Sequence, residues 1–252
     1  REGKLPETNL GAILSIADKV DTISACFISG VIPTGASDPY ALRRQAIGII
    51  NIILNKQFHL HLGNIFNSSL SRIWDQLQRP YSADLLRELL NFMVERFRNL
   101  MISDGFPQDI VDAVISVECD DIIETKRKIE ALSEFRKAPD FDSLAIAFKR
   151  VVNIVKGQPR GRIKHELLVE PTEKLLYRAY SEVKQEVEYS ISERNYIKAL
   201  SKMKSLKESI DRYFDDVLVM AKDESIRQNR LSTLWEIREL FFKVADFSKI
   251  ST

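Results

Sequence analysis

Residues 196–217, YIKALSKMKSLKESIDRYFDDV, decide the fold class. Tyr196, Leu200, Met203, Ile210, Tyr213 and Val217 recur at steps of three, four or seven, with Lys198, Lys202, Lys204 and Lys207 between them. This spacing lines the apolar side chains along one stripe of a 3.6-residue helix and turns the lysines outward, so the stretch reads as one amphipathic helix with a basic outer face. Upstream, Leu86, Leu90, Met93, Phe97 and Leu100 repeat the pattern against Arg87, Glu88, Glu95, Arg96 and Arg98. The best strand candidate, the β-branched patch Val151 to Val155, fits a helical face equally well through Phe148, Val151, Val152 and Val155. The expected architecture is all-α.

Helix starts agree. Asp38-Pro39 offers an N-cap acceptor followed by a proline at the first helical position, where no N–H is needed. Glu170-Pro171 with Glu173 repeats the proline start and adds a first-turn carboxylate, favourable to the helix dipole. Asp142-Ser143 opens LAIAFKRVVNIV. Breaks are expected at GVIPTGASD (30–38), Arg79-Pro80, DGFP (104–107), KAPD (137–140) and GQPRG (157–161).

The 252 residues carry a net charge of +1, so no overall field announces a nucleic-acid or acidic-membrane partner. A chain that is 44% hydrophobic and 29% charged is globular rather than disordered. Cys26 and Cys119 are too few for a disulfide framework, which points to a reducing, cytoplasmic setting. No charged-then-apolar leader follows Arg1, and the longest apolar run, Ala46 to Leu54, is interrupted by Asn51 and too short for a membrane span. Secreted, fibrous and membrane classes are not expected. Charge is uneven along the chain: residues 1–78 carry 7 basic and 6 acidic groups, 79–138 carry 9 and 12, and 139–252 carry 21 and 18. The middle is acidic and the last part basic.

Most enzymatic chemistry is missing. There is no G-K-[ST] phosphate loop and no G-x-G-x-x-G. His59 and His61, read on a helix, point about 200° apart, unlike an i, i+4 metal pair. They are expected as polar residues flanking a loop or helix end. His165 lies in a basic stretch and suits solvent or phosphate better than base catalysis. Each cysteine reads as a small core residue rather than a nucleophile. Asp18 and Asp21 share a helix face but have no histidines nearby. No catalytic and no metal residue is assigned.

Binding chemistry is present. Lys149 to Lys164, KRVVNIVKGQPRGRIK, holds Lys149, Arg150, Lys156, Arg160, Arg162 and Lys164, with no acid between Asp142 and Glu166. Cations at this density repel each other; phosphate oxygens would relieve that repulsion and gain affinity by counterion release. Arg227, Gln228, Asn229 and Arg230 follow Asp223-Glu224 at a helix start, with Tyr213 and Phe214 upstream. Arg, Gln and Asn side chains pair with base edges or stack on exposed bases. Arg43-Arg44 sit on an otherwise apolar helix, where one arginine is expected to buttress through Asp38 or the preceding helix.

Four blocks, LGAILSIADKVDTI, GVIPTGASDPYALRRQAIGIINIIL, FDSLAIAFKRVVNIV and IDRYFDDVLVMAKDESIRQNRLSTLWEIRELFFKVADFSKI, span Leu10 to Ile250. In that order they resemble the C-terminal part of the β subunit of bacterial heterotetrameric glycyl-tRNA synthetases. The resemblance implies a fragment of a much longer subunit. It implies an HD-like helical segment over 1–78, in which ADKVD is similar to the last piece of an HD-type phosphohydrolase domain with Asp18 as its final aspartate. The histidines of such a site have no match here. A helical linker region over 79–138 and a helical-bundle anticodon-binding domain over 139–252, similar to that of arginyl-tRNA synthetase, would follow. The expected partners are glycine tRNA and an α subunit in an α2β2 assembly, with neither DNA nor membrane. ATP and Mg would be used on the α subunit, leaving no cofactor here. Lys149, Arg150, Lys156, Arg160 and Arg162 are the expected backbone contacts, and Arg227, Asn229 and Arg230 the expected contacts nearer the bases. The alternatives are a subunit-docking module with the acidic middle as its face, or a remnant HD-type metal phosphohydrolase.

Overall fold

The computed structural model describes residues 4–77 and 83–251. Among the described residues it contains α-helices, two short 3-10 turns and two isolated β-bridges, but no strand. No helix among them is long and apolar enough to cross a membrane. The chain divides into two compact units, 1–106 with 118–126 and 107–117 with 127–252. The stretch expected as a linker region, 79–138, is shared between them. The expected break at Arg79-Pro80 lies outside the described residues.

The first unit is built on α1 (Asn9–Ile28), α2 (Leu42–Lys56), α3 (Leu62–Leu77) and α4 (Ala83–Ser103). α1 starts where the Thr8 hydroxyl accepts from Gly11 N–H, 3.1 Å away, and it packs on α2 and α3. Ile16, Val20, Ile23 and Phe27 on α1 meet a core that includes Ile49, Ile53, Phe66, Leu70 and Phe97. α2 begins later than Asp38-Pro39 suggests. Ala41 takes a left-handed conformation (φ 54°) ahead of Leu42, and Asp38 reaches across the turn to accept from Leu42 N–H (2.7 Å) and Arg43 N–H (3.1 Å). The aspartate caps the helix from four residues upstream, so the proline lies in the turn. On α4 the buried set is Leu89, Phe92, Met93, Phe97 and Met101, while Leu86, Leu90 and Leu100 are only half-buried. Apolar residues lie on more than one side of α4, and packing on α2 and α3 selects a face rotated from the expected one.

The second unit contains α5 (Gln108–Ile115), most of α6 (Ile122–Phe135), α7 (Phe141–Val155), α8 (Pro171–Ser192), α9 (Tyr196–Lys204), α10 (Lys207–Asp216) and α11 (Glu224–Phe242). The Val151–Val155 patch is helical, with Val151, Val152 and Val155 buried. Phe148 of α7 stacks on Phe241 of α11 at 3.7 Å between centroids, and Phe247 meets Phe148 edge-on at 5.0 Å. These rings fix α7 against α11. Glu170 and Pro171 start α8 as expected, with Glu173 accepting from Glu170 N–H at 2.7 Å.

Residues 196–217 form two helices rather than one. Ser205 N–H donates to Lys202 and Leu206 N–H to Met203, three residues back in each case, which tightens the winding between α9 and α10. Tyr196, Ala199, Leu200 and Met203 form one buried set, and Leu206, Ile210 and Tyr213 the other. Each half keeps its own stripe, and a three-residue step joins them. The break lets α9 pack on α8 while α10 reaches both α8 and α7.

Candidate nucleic-acid interface

The basic run leaves α7 at its C-terminus and crosses α11 as a loop. Lys156 ends α7, and Gly157 follows in a left-handed conformation (φ 75°) that turns the chain. The loop is then held by one polar face of α11. Asn229 uses its whole carboxamide on the Lys164 backbone: Oδ1 accepts from Lys164 N–H (2.7 Å) and Nδ2 donates to the Lys164 carbonyl (3.0 Å). Three residues on, Ser232 approaches Gly161 so closely that a Cβ there would lie 2.6 Å from its hydroxyl oxygen. Four further on, Glu236 accepts from Arg160 at 2.7 Å and from the Tyr180 hydroxyl at 3.0 Å, with Lys184 3.7 Å away. Glu239 adds a second carboxylate 3.8 Å from Arg160.

Electrostatics follow from that packing. Burial works to raise the Glu236 pKa, but the hydrogen bonds from Arg160 and Tyr180 outweigh it and hold the carboxyl below its usual range. The same contact with Glu236 raises the Arg160 pKa, and burial beside this carboxylate raises that of Tyr180. Arg160 is therefore a tether whose charge is already offset. Lys156, Arg162 and Lys164 are exposed and make no ion pair among the described residues. On α7, the exposed Arg150 lays its guanidinium over the Phe214 ring at 4.4 Å, and Lys149 is half-buried. Phe214 thus serves as the aromatic plane, whereas Tyr213 is buried.

Of the expected base-contacting trio, Asn229 and Arg230 are buried and Arg227 is partly exposed. Asn229 is 2% exposed and its amide is spent on Lys164, so no base edge can reach it. Arg230 is 8% exposed; it donates to Glu173 Oε1 (2.7 Å) and to the Leu218 carbonyl (2.9 Å). Glu173 in this way links the α8 capping box to α11. Arg227 is half-buried, pairs with Glu224 and donates to the Ala221 carbonyl at 3.1 Å. These residues position the loops around α11. Their signal in the sequence is the polar spacing Asn229, Ser232, Glu236, which marks one face of a helix that is otherwise largely buried. His165 is exposed and meets the Tyr177 ring edge-on at 4.7 Å.

In the first unit, His59 and His61 sit in the connection between α2 and α3, not on a helix. In that extended stretch both turn to one partner segment: His59 Nδ1 lies 2.8 Å from Asp121, and His61 Nδ1 2.9 Å from Asp120. Asp120 also accepts from Gly63 N–H at 2.7 Å, and Asp121 from Glu124 N–H at 3.0 Å. The contacts staple the 58–63 loop to the start of α6. The sequence signal was Asp121 with Glu124 three residues later, a helix-start pattern. His59, Asp121 and Glu124 offer ligand atoms within 4.8 Å of one another, the donor types that suit a divalent transition metal. Among the described residues, no such group of three includes Asp18 or Asp21; Asp18 is exposed, and Asp21 accepts from the Ser69 hydroxyl at 2.7 Å. Cys26 is partly exposed, and burial raises its thiol pKa, which disfavours the reactive thiolate.

Comparison with known proteins divides the chain in a similar way. The family model described as glycyl-tRNA synthetase beta subunit matches residues 1–116, and the DALR anticodon binding domain matches residues 144–250, which hold the basic loop and α11. Proteins named glycine–tRNA ligase beta subunit are 48% identical over 250 residues in Geotalea uraniireducens, 45% over 249 in Geotalea daltonii and 41% over 250 in Syntrophus aciditrophicus. Each alignment covers 99% of this chain but 36% of the relative. Across both units, therefore, the chain belongs to the glycyl-tRNA synthetase β-subunit family and carries its DALR anticodon-binding domain.

Proposed function

We propose that this chain is a tRNA-binding portion of the glycine–tRNA ligase β subunit, and that its second unit holds the anticodon arm of glycine tRNA in the cytoplasm. Glycylation itself, with its ATP and Mg, would take place on an α subunit in an α2β2 assembly. The observation that carries the reading is the loop 156–164. Its cations Lys156, Arg162 and Lys164 are exposed and have no carboxylate partner among the described residues, while Asn229 and Glu236 fix its path. Phosphate contacts from such a pinned loop lose little conformational freedom on binding, and they set the position of a single-stranded anticodon whose bases are open to recognition. Arg150, stacked on Phe214, extends the same basic surface onto α7.

The test is a titration of the β subunit with glycine tRNA and with an anticodon-altered form at matched salt. Weaker binding of the altered form is expected. Equal affinity would remove base-level recognition from this unit. A subunit-docking module without tRNA affinity and an HD-type phosphohydrolase are the less favoured readings; the DALR match supports neither.

A further inference from the structure

His165 follows the basic loop as an exposed ring that is held from three sides. The Lys164 peptide before it is clamped by Asn229 through its N–H (2.7 Å) and its carbonyl (3.0 Å). The His165 carbonyl accepts from Leu168 N–H at 3.2 Å, and Leu168 is buried. The imidazole meets the half-buried Tyr177 ring of α8 at 4.7 Å between centroids, with the two planes 86° apart. An edge-on contact covers at most one face of the imidazole, which leaves the other to solvent. Behind Tyr177, at 6.4 Å, stands Tyr180, whose hydroxyl donates to Glu236, the carboxylate that tethers Arg160. The basic loop and the His165 ring therefore rest on one support.

We infer that the open face of His165 stacks on an unpaired base of the anticodon loop; this rests on the tRNA-binding reading above and adds a base-contacting residue to it. Charge separates base from phosphate here. The run of cations ends with Arg162 and Lys164, and the exposed Glu166 and Glu170 follow. A phosphate beside His165 would be repelled by those carboxylates, whereas a neutral base would not. In single-stranded RNA a splayed base lies one nucleotide or less from the phosphates that Arg162 and Lys164 would hold, and stacking on an aromatic plane, histidine included, stabilises it. Because the backbone and Tyr177 already fix the ring, the contact costs little conformational freedom. Every base has a π face, so His165 anchors the loop without reading its sequence.

The test titrates the full-length β subunit with glycine tRNA and with the same tRNA made abasic at one anticodon-loop position at a time. His165→Ala should bind intact tRNA about tenfold more weakly, with the salt slope and the urea midpoint unchanged. His165→Phe keeps the plane and removes the ring nitrogens, and it should bind like the unsubstituted protein. One abasic position should weaken the unsubstituted protein by about the same factor and cost His165→Ala nothing more. Undiminished binding by His165→Ala would overturn the inference. So would equal losses in the Ala and Phe variants with a shallower salt slope, the mark of a phosphate contact. Both of those results leave the tRNA-binding reading intact. Failure of that reading looks different: the unsubstituted protein would bind glycine tRNA equally well with its anticodon arm removed, and the inference would fall with it.

Discussion

Asn229 grips the Lys164 peptide at both ends, accepting from its N–H at 2.7 Å and donating to its carbonyl at 3.0 Å, while being almost wholly buried itself. An asparagine whose type suggests base recognition instead works as a clamp on the segment proposed to meet phosphate. Replacing it with alanine strands the Lys164 N–H and leaves the carbonyl with the Leu167 N–H alone. Asn229→Ala should lower unfolding stability by about 1–3 kcal/mol and weaken tRNA binding, because Arg162 and Lys164 lose their fixed position. Urea unfolding and a tRNA titration read the two effects; unchanged stability would show that the clamp contributes nothing.

Arg160 and Arg162 are two residues apart in sequence but differ in role. Arg160 is offset by Glu236 and Glu239, whereas Arg162 has no carboxylate partner among the described residues. Arg162→Gln should therefore reduce the slope of log affinity against log salt by about 0.7–0.9, one phosphate contact, with little effect on stability. Arg160→Gln should lower the melting temperature and move the slope far less.

The Arg230–Glu173 pair is buried, so it is costly to break from one side. Arg230→Met leaves a carboxylate inside and should destabilise the fold by about 3–5 kcal/mol. Adding Glu173→Gln to that variant should restore part of the loss in the same denaturation assay, since the stranded charge is then gone.

Acid should loosen the second unit. Burial tends to raise the pKa of Asp109, but its hydrogen bonds from Arg136 and Ser251 N–H lower it overall, as those from Arg160 and Tyr180 do for Glu236. In the window between folded and unfolded pKa values the unfolded chain binds more protons, so stability declines as pH falls. The contribution is complete above the ordinary carboxylate values of about 4 and is lost on descent through the folded values. Urea midpoints should hold at about pH 6 and fall below about pH 4, and Glu236→Gln should flatten that fall.

Much of this was legible in the sequence. Helical periodicity identified the all-α class, Glu170-Pro171-x-Glu173 located the start of α8, and the charge run marked the exposed loop after α7. What stayed hidden depends on tertiary contacts. Periodicity cannot register the tightened turn at Ser205-Leu206, because apolar spacing continues through it. Residue type cannot separate Arg160 from Arg162, or tell an Asn that faces solvent from one spent on Lys164. Nor could it show that His59 and His61, in an extended link, turn to the same pair of aspartates.

The central claim is that the 156–164 loop contacts the anticodon arm. The most direct measurement places a photoreactive group at position 162 through Arg162→Cys in a β subunit lacking Cys26 and Cys119, and maps its crosslinks on glycine tRNA. Crosslinks confined to the anticodon stem and loop are the expected result. Crosslinks to the acceptor stem, or none while binding is retained, would contradict the account.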